Sequence, residues 1–121
     1  MNKLTILTLL IVVTLFGACS DPSSWYPSGM ASLVDSHEVD DGSIKAVIVT
    51  LTLQNTGISA INRSTFTVQA QTNARLYWKT AIINTRILPG AKIKASVELP
   101  YASTVENLVE SGVSIIDPFF E

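Results

Sequence analysis

Apolar and polar residues alternate with a period of two through most of this chain, the signature of strands buried on one face. The clearest run is 44–54, where Val47, Val49, Leu51 and Leu53 share one face and Ile48, Thr50, Thr52 and Gln54 share the other. β-Branched residues dominate it, so no helical period competes. The stretch 64–71 repeats the pattern, with Phe66, Val68 and Ala70 set against Thr65, Thr67 and Gln69. In 92–99, Ile93, Ala95, Val97 and Leu99 predict an inward face, and Lys92, Lys94, Ser96 and Glu98 a wet one. Shorter strands are expected at 30–34, at 75–79, through Ala81, Ile83, Thr85 and Ile87, and at 113–116.

Turn chemistry separates these runs. Asp41-Gly42 in the connection 38–43 is a hairpin signal, because glycine accepts positive φ. Asn55-Thr56-Gly57 and Thr72-Asn73-Ala74 break the next two strands, and Leu88-Pro89-Gly90 suits a type II turn. Ser103-Thr104-Val105-Glu106 fits a capping box and Gly112 a glycine stop, so a short helix is expected within 103–112, before the last strand. About seven short strands with turn signals every ~8–12 residues predict an all-β fold, an antiparallel sandwich. One-sided alternation argues against a parallel α/β sheet, whose strands are apolar on both faces.

The first residues obey a different rule. Leu4 to Phe16 form an apolar run broken only by threonines, after a short positive start at Lys3. At about 13 residues it has the length of a signal-peptide core and falls short of the ~20 needed to span a bilayer. Its end, Leu15-Phe16-Gly17-Ala18-Cys19, resembles the lipobox of bacterial lipoproteins. That resemblance implies removal of 1–18 and acylation of Cys19, the single cysteine of the chain. A plain secretory signal cleaved near Ala18, or an uncleaved anchor helix, are the alternatives. Stable anchoring takes more than one acyl chain, which a diacylated cysteine supplies. Residues 19–29 then read as a Pro/Ser/Gly-rich tether and 30–121 as a single domain. Within the tether, Trp25 and Tyr26 either fold back over one end of the sandwich or sit at the membrane interface. In the same family an Asp directly after the cysteine retains some lipoproteins in the inner membrane. Ser20 stands there, which favours the outer membrane.

Charge narrows the partners. The chain carries −2 at pH 7, and −3 once Lys3 is lost. With no basic stripe along any strand, nucleic acid is an unsuitable ligand. With no second cysteine there is no disulfide to form, so the domain depends on packing alone.

From Val47 onward the order is strand, Asn-Thr-Gly, alternating strand, Leu-Tyr, strand, Pro-Gly, strand ending in Pro. VTLTLQNTG at 49–57, Leu76-Tyr77, and LPG at 88–90 followed by KIKASVELP resemble the FxLYD domain and, more distantly, the water-stress domains of late-embryogenesis proteins. Ala74 and Trp78 stand where that domain has its Phe and Asp. The resemblance implies an immunoglobulin-like or fibronectin-like sandwich, and a non-catalytic envelope or interaction module with no active site to carry over.

The residues themselves support little chemistry. His37, Glu38, Asp40 and Asp41 are the one cluster with metal-ligand character. Their spacing suits neither a calcium loop nor a zinc site, so they read as a solvated acidic turn and no metal or cofactor is expected. Gly57-Ile58-Ser59-Ala60-Ile61 lacks the final glycine of a nucleophile elbow. No glycine-rich phosphate loop is present, and catalysis is not expected. In Tyr77-Trp78 one ring must face inward and the other outward. The outward one is the best single contact residue, given the enrichment of Tyr and Trp at binding sites. Phe119 and Phe120 either close the open end of the sandwich or form a docking tail. The expected role is therefore a membrane-anchored interaction or envelope-structural module that binds an envelope or extracellular protein. The alternative is a carrier of a small apolar ligand, in a pocket left by the small inward residues Ala46, Ala70 and Ala95.

Overall fold

The computed structural model describes residues 27–121. Its secondary structure is six strands: β1 (Gly29–Asp40), β2 (Lys45–Asn55), β3 (Ser64–Thr72), β4 (Leu76–Ile83), β5 (Lys92–Pro100) and β6 (Leu108–Phe120). They form two antiparallel three-stranded sheets, in the orders β1-β2-β5 and β4-β3-β6. The central strands β2 and β3 carry most of the core, and the predicted faces hold. Val47, Val49, Leu51 and Leu53 are fully buried, and Phe66, Val68 and Ala70 meet them from the other sheet. Val97 and Leu99 of β5 complete the layer, with Ile93 and Ala95 partly buried beside them.

The turns use the residues that their geometry demands. Gly42 takes φ +89° at the β1–β2 hairpin, and Gly90 takes φ +80°, the left-handed value of a type II turn. The Ala91 N–H donates to the Leu88 carbonyl across that second turn, at 2.9 Å. Asn55 ends β2 and is fully buried. Its Nδ2 donates to the carbonyls of Ser59 and Ile87, both at 2.8 Å, and its Oδ1 accepts from the Gly57 N–H at 2.9 Å. One side chain thus ties together two connections far apart in sequence. Asn55→Ala is expected to destabilise the domain by about 1–3 kcal/mol for each group left buried without a partner. Asn55→Asp is expected to cost more, since a carboxylate would then face two carbonyls. Urea unfolding of both variants checks the order, and an Asp variant as stable as the Ala variant would contradict it.

Three expectations are corrected. The strands number six among the described residues, because 76–83 is one strand where two were expected. Ile87 instead makes an isolated bridge with Ile61. Second, β1 and β6 run far beyond 30–34 and 113–116. Each contains register shifts that scramble its alternation, between Leu33 and Asp35 in β1 and at two places where β6 faces β3.

Third, no helix forms at 103–112. The capping-box contacts are made: the Ser103 N–H donates to Glu106 Oε2 at 3.1 Å and the Val105 N–H to Ser103 Oγ at 3.3 Å. A single turn results, and Leu108 then pairs with Thr72 in the sheet. Gly112 is not a helix stop. A Cβ there would lie 2.7 Å from the Gln71 carbonyl oxygen, so glycine is needed for close approach of β6 to β3.

Candidate functional site

Alternation along β4 turns Tyr77, Ala81 and Ile83 toward the core and leaves Leu76, Trp78 and Ile82 exposed. The register fixes their neighbours on the outer face of the sheet. Trp78 stands opposite Gln69, Thr80 opposite Thr67 and Ile82 opposite Thr65. Across β3, the same three residues face Ser114, Ile116 and Phe119 of β6. The outer face therefore carries a neutral polar stripe, Thr65-Thr67-Gln69, flanked by large apolar side chains. Trp78 is 68% exposed, Phe119 60% and Ile82 56%. Thr67 and Thr80 hydroxyls lie 3.0 Å apart across the stripe.

The paired aromatics thus divide as strand geometry requires. Trp78 and Phe119 share this outer face on opposite edges of the sheet. Tyr77 and Phe120 turn inward at opposite ends of the sandwich. Phe120 packs so closely on Gly29 that a Cβ there would sit 2.8 Å from its ring. An open hollow of about 570 Å³, lined by Pro27, Ser28, Gly29 and residues 118–121, lies at that end, where the described chain begins. Its walls are the start of β1 and the end of β6, at one end of the sandwich. Of the small residues expected to leave an inward pocket, Ala70 is packed into the core, whereas Ala46 is buried on the other face of β2 from Val47. Leu76, Ile82 and Ile116 are contact residues that the sequence reading does not propose as such. For Leu76 and Ile82 the signal is 76–83 itself, which is apolar on both faces although it is an edge strand.

Tyr77 belongs to a polar network at the far end. Its ring stacks on Tyr101, with centroids 5.5 Å apart. Its hydroxyl donates to Glu106 Oε2 at 2.7 Å and accepts from the Ala102 N–H at 2.8 Å. Thr72 Oγ1 donates to Glu106 Oε1 at 2.7 Å, and Arg75 Nε lies 3.5 Å from the same oxygen. Only 2% of the Glu106 side chain is exposed. The Tyr77 hydroxyl above all, then Thr72, Arg75 and the Ser103 N–H, hold its carboxyl below the ordinary 4.5 against the opposing effect of burial. All of its acceptor capacity is used inside the fold, so the arrangement staples a loop to a hairpin and leaves no free base.

The acidic cluster serves the hairpin in the same way. Asp41 Oδ1 accepts from the N–H groups of Ile44 and Ser43, at 2.7 and 2.9 Å, and these lower its pKa. Asp40 Oδ1 accepts from the Gly42 N–H at 2.9 Å. Glu38 faces Lys45 at 3.4 Å, and His37 Nδ1 lies 3.1 Å from Asp35 Oδ2. Among the described residues no group of three or more His, Cys, Asp or Glu is placed to hold a metal. No helix there is long and apolar enough to cross a membrane. Cys19, Trp25 and Tyr26 lie outside the described residues.

No protein-family model matches the chain, and no curated protein matches it. Among solved structures it is similar to the X-ray structure of Northeast Structural Genomics Consortium target SoR45. The two share 14% identity with a TM-score of 0.37, over 78% of this chain and 83% of that one.

Proposed function

We propose that this protein is an extracytoplasmic lipoprotein, anchored through an acylated Cys19, whose β-sandwich is a non-catalytic interaction or envelope-structural module. The observation that carries the interaction reading is the uncovered outer face of the β4-β3-β6 sheet. Trp78, Ile82 and Phe119 stand exposed there around a polar but uncharged stripe. Large apolar side chains exposed together on one sheet face suit a contact site, and tryptophan is enriched among the residues that dominate binding. The anchoring reading is supported by Gly17-Ala18-Cys19 after an apolar run of signal-peptide length. Of the expected tether 19–29, Gly29 is taken into β1; the residues before it supply the link to Cys19, and Ser20 favours the outer membrane. An immunoglobulin-like arrangement of the FxLYD kind is the finer fold that the sequence resemblance suggests.

Cys19→Ala tests the anchor. The wild type is expected to take up radiolabelled palmitate and to fractionate with membranes. The variant is expected to be unlabelled and released, with its β-sheet circular dichroism unchanged. An unlabelled wild type in the soluble fraction would overturn the proposal.

A further inference from the structure

Four strands border the two sheets, and three of them are guarded against pairing with another chain. β1 carries Asp35, Glu38 and Asp40 together with a register shift. β5 alternates Lys92, Lys94 and Glu98 into solvent, and β6 contains Asp117-Pro118 and two register shifts. Charges, prolines and bulges are the usual devices that blunt an edge. β4 has no Pro, Gly or register shift, and Lys79 is its one charge.

Its backbone is also turned outward at defined positions. The Thr72 N–H donates to the Arg75 carbonyl at 2.9 Å and closes the β3–β4 turn. Bonded pairs alternate along an antiparallel ladder, so Ala70/Tyr77, Val68/Lys79, Phe66/Ala81 and Ser64/Ile83 are the bonded ones. Leu76, Trp78, Thr80 and Ile82 therefore direct their N–H and C=O groups to the free edge. These same residues present their side chains on the exposed outer face. A strand added there would gain a backbone ladder and an apolar surface together.

Charge selects the occupant. From Arg75 to Arg86 there are three cations and no acid. Two more cations, Lys92 and Lys94, follow with one acid, Glu98, on the outer face of β5, a strand that touches β4. Among the described residues, only Arg75 of these five has an ion-pair partner, Glu106. A second β4 would bring three more cations against the first three, and like charges facing each other are penalised. We propose that the β4 edge receives an extended segment of another protein in which apolar residues alternate with Asp or Glu. It pairs with the backbone of Leu76, Trp78, Thr80 and Ile82, its acids meeting Lys79 and the flanking arginines. This names the partner chemistry of the interaction reading above and rests on it.

The test uses the full chain, ¹⁵N-labelled in detergent micelles. It is titrated with a peptide of about nine residues alternating valine and glutamate, and separately with one alternating valine and lysine. Saturable amide shifts at 76, 78, 80 and 82 are expected, with the acidic peptide at least about tenfold tighter. Lys79→Glu is expected to erase that preference. Thr80→Pro removes one outward N–H and leaves the β3 ladder intact, so it is expected to abolish the shifts. If Thr80→Pro does not fold, Lys79→Glu carries the test alone. No shifts, equal affinity for both peptides, shifts centred on Phe119, or self-association through β4 without peptide would each overturn the proposal. Palmitate uptake at Cys19 is read separately, so failure of the β4 assignment is distinguishable from failure of the anchor.

Discussion

Phe66→Ala is expected to destabilise the domain by about 3–5 kcal/mol, the range for deleting a buried aromatic ring. Phe66 lies at the heart of the structure. It is 1% exposed, on the central strand of one sheet, within the core formed with Val49 and Leu51 of the other. Domains of this size have only about 5–15 kcal/mol in total, and the single cysteine of the chain leaves no disulfide to offset the loss. At about 4–8 °C per kcal/mol, the melting temperature should fall by more than about 12 °C. Thr67→Ala, one residue along, removes only an exposed hydroxyl contact with Thr80 and should cost less than about 1 kcal/mol. Urea unfolding of the two variants reads the difference. Equal losses would mean that the two faces of β3 are not distinguished as described.

Removing the Glu106 carboxylate is expected to have the second large effect, and a pH signature identifies it. Glu106→Ala leaves the Tyr77 hydroxyl and the Ser103 N–H without their acceptor and takes from the Thr72 hydroxyl the closer of its two. It should lower the melting temperature far more than Val105→Ala, whose side chain is 77% exposed. The folded-state pKa of Glu106 lies below its unfolded value, so the unfolded chain binds the proton more readily. Its contribution to stability is present above about pH 4.5 and is lost as the pH falls through the lower folded value. Thermal unfolding should therefore show a wild-type advantage over Glu106→Gln at pH 7 that shrinks steadily in acid. A pH-independent gap would place the carboxyl's partners elsewhere.

Those two sites differ in how far the sequence discloses them. The Phe66 face was legible because one-sided burial writes itself as a period of two, and β2, β3 and β5 keep that period unbroken. Pro89-Gly90 and Asp41-Gly42 were legible because only a few residues satisfy those dihedrals. Glu106 was misplaced for a physical reason. The first turn of a helix and an isolated turn make the same Ser103–Glu106 contacts, and the choice between them is made by Thr72 and Tyr77, about thirty residues away in sequence. β1 and β6 were read too short, since register shifts swap which residues face inward. Strand parity required one of Tyr77 and Trp78 to be exposed, but the choice follows from the phase of β3, which buries Ala70 opposite Tyr77. The open edge of β4 is a property of strand order, which no local pattern encodes.

The proposed junction between the folded sandwich and a membrane is one sulfur atom, that of Cys19, and mass spectrometry of the N-terminal peptide of the native protein tests it directly. The predicted result is a chain that begins at Cys19 and carries the mass of two or three acyl chains. A peptide that retains Met1, or a Cys19 with an unmodified thiol, would contradict it.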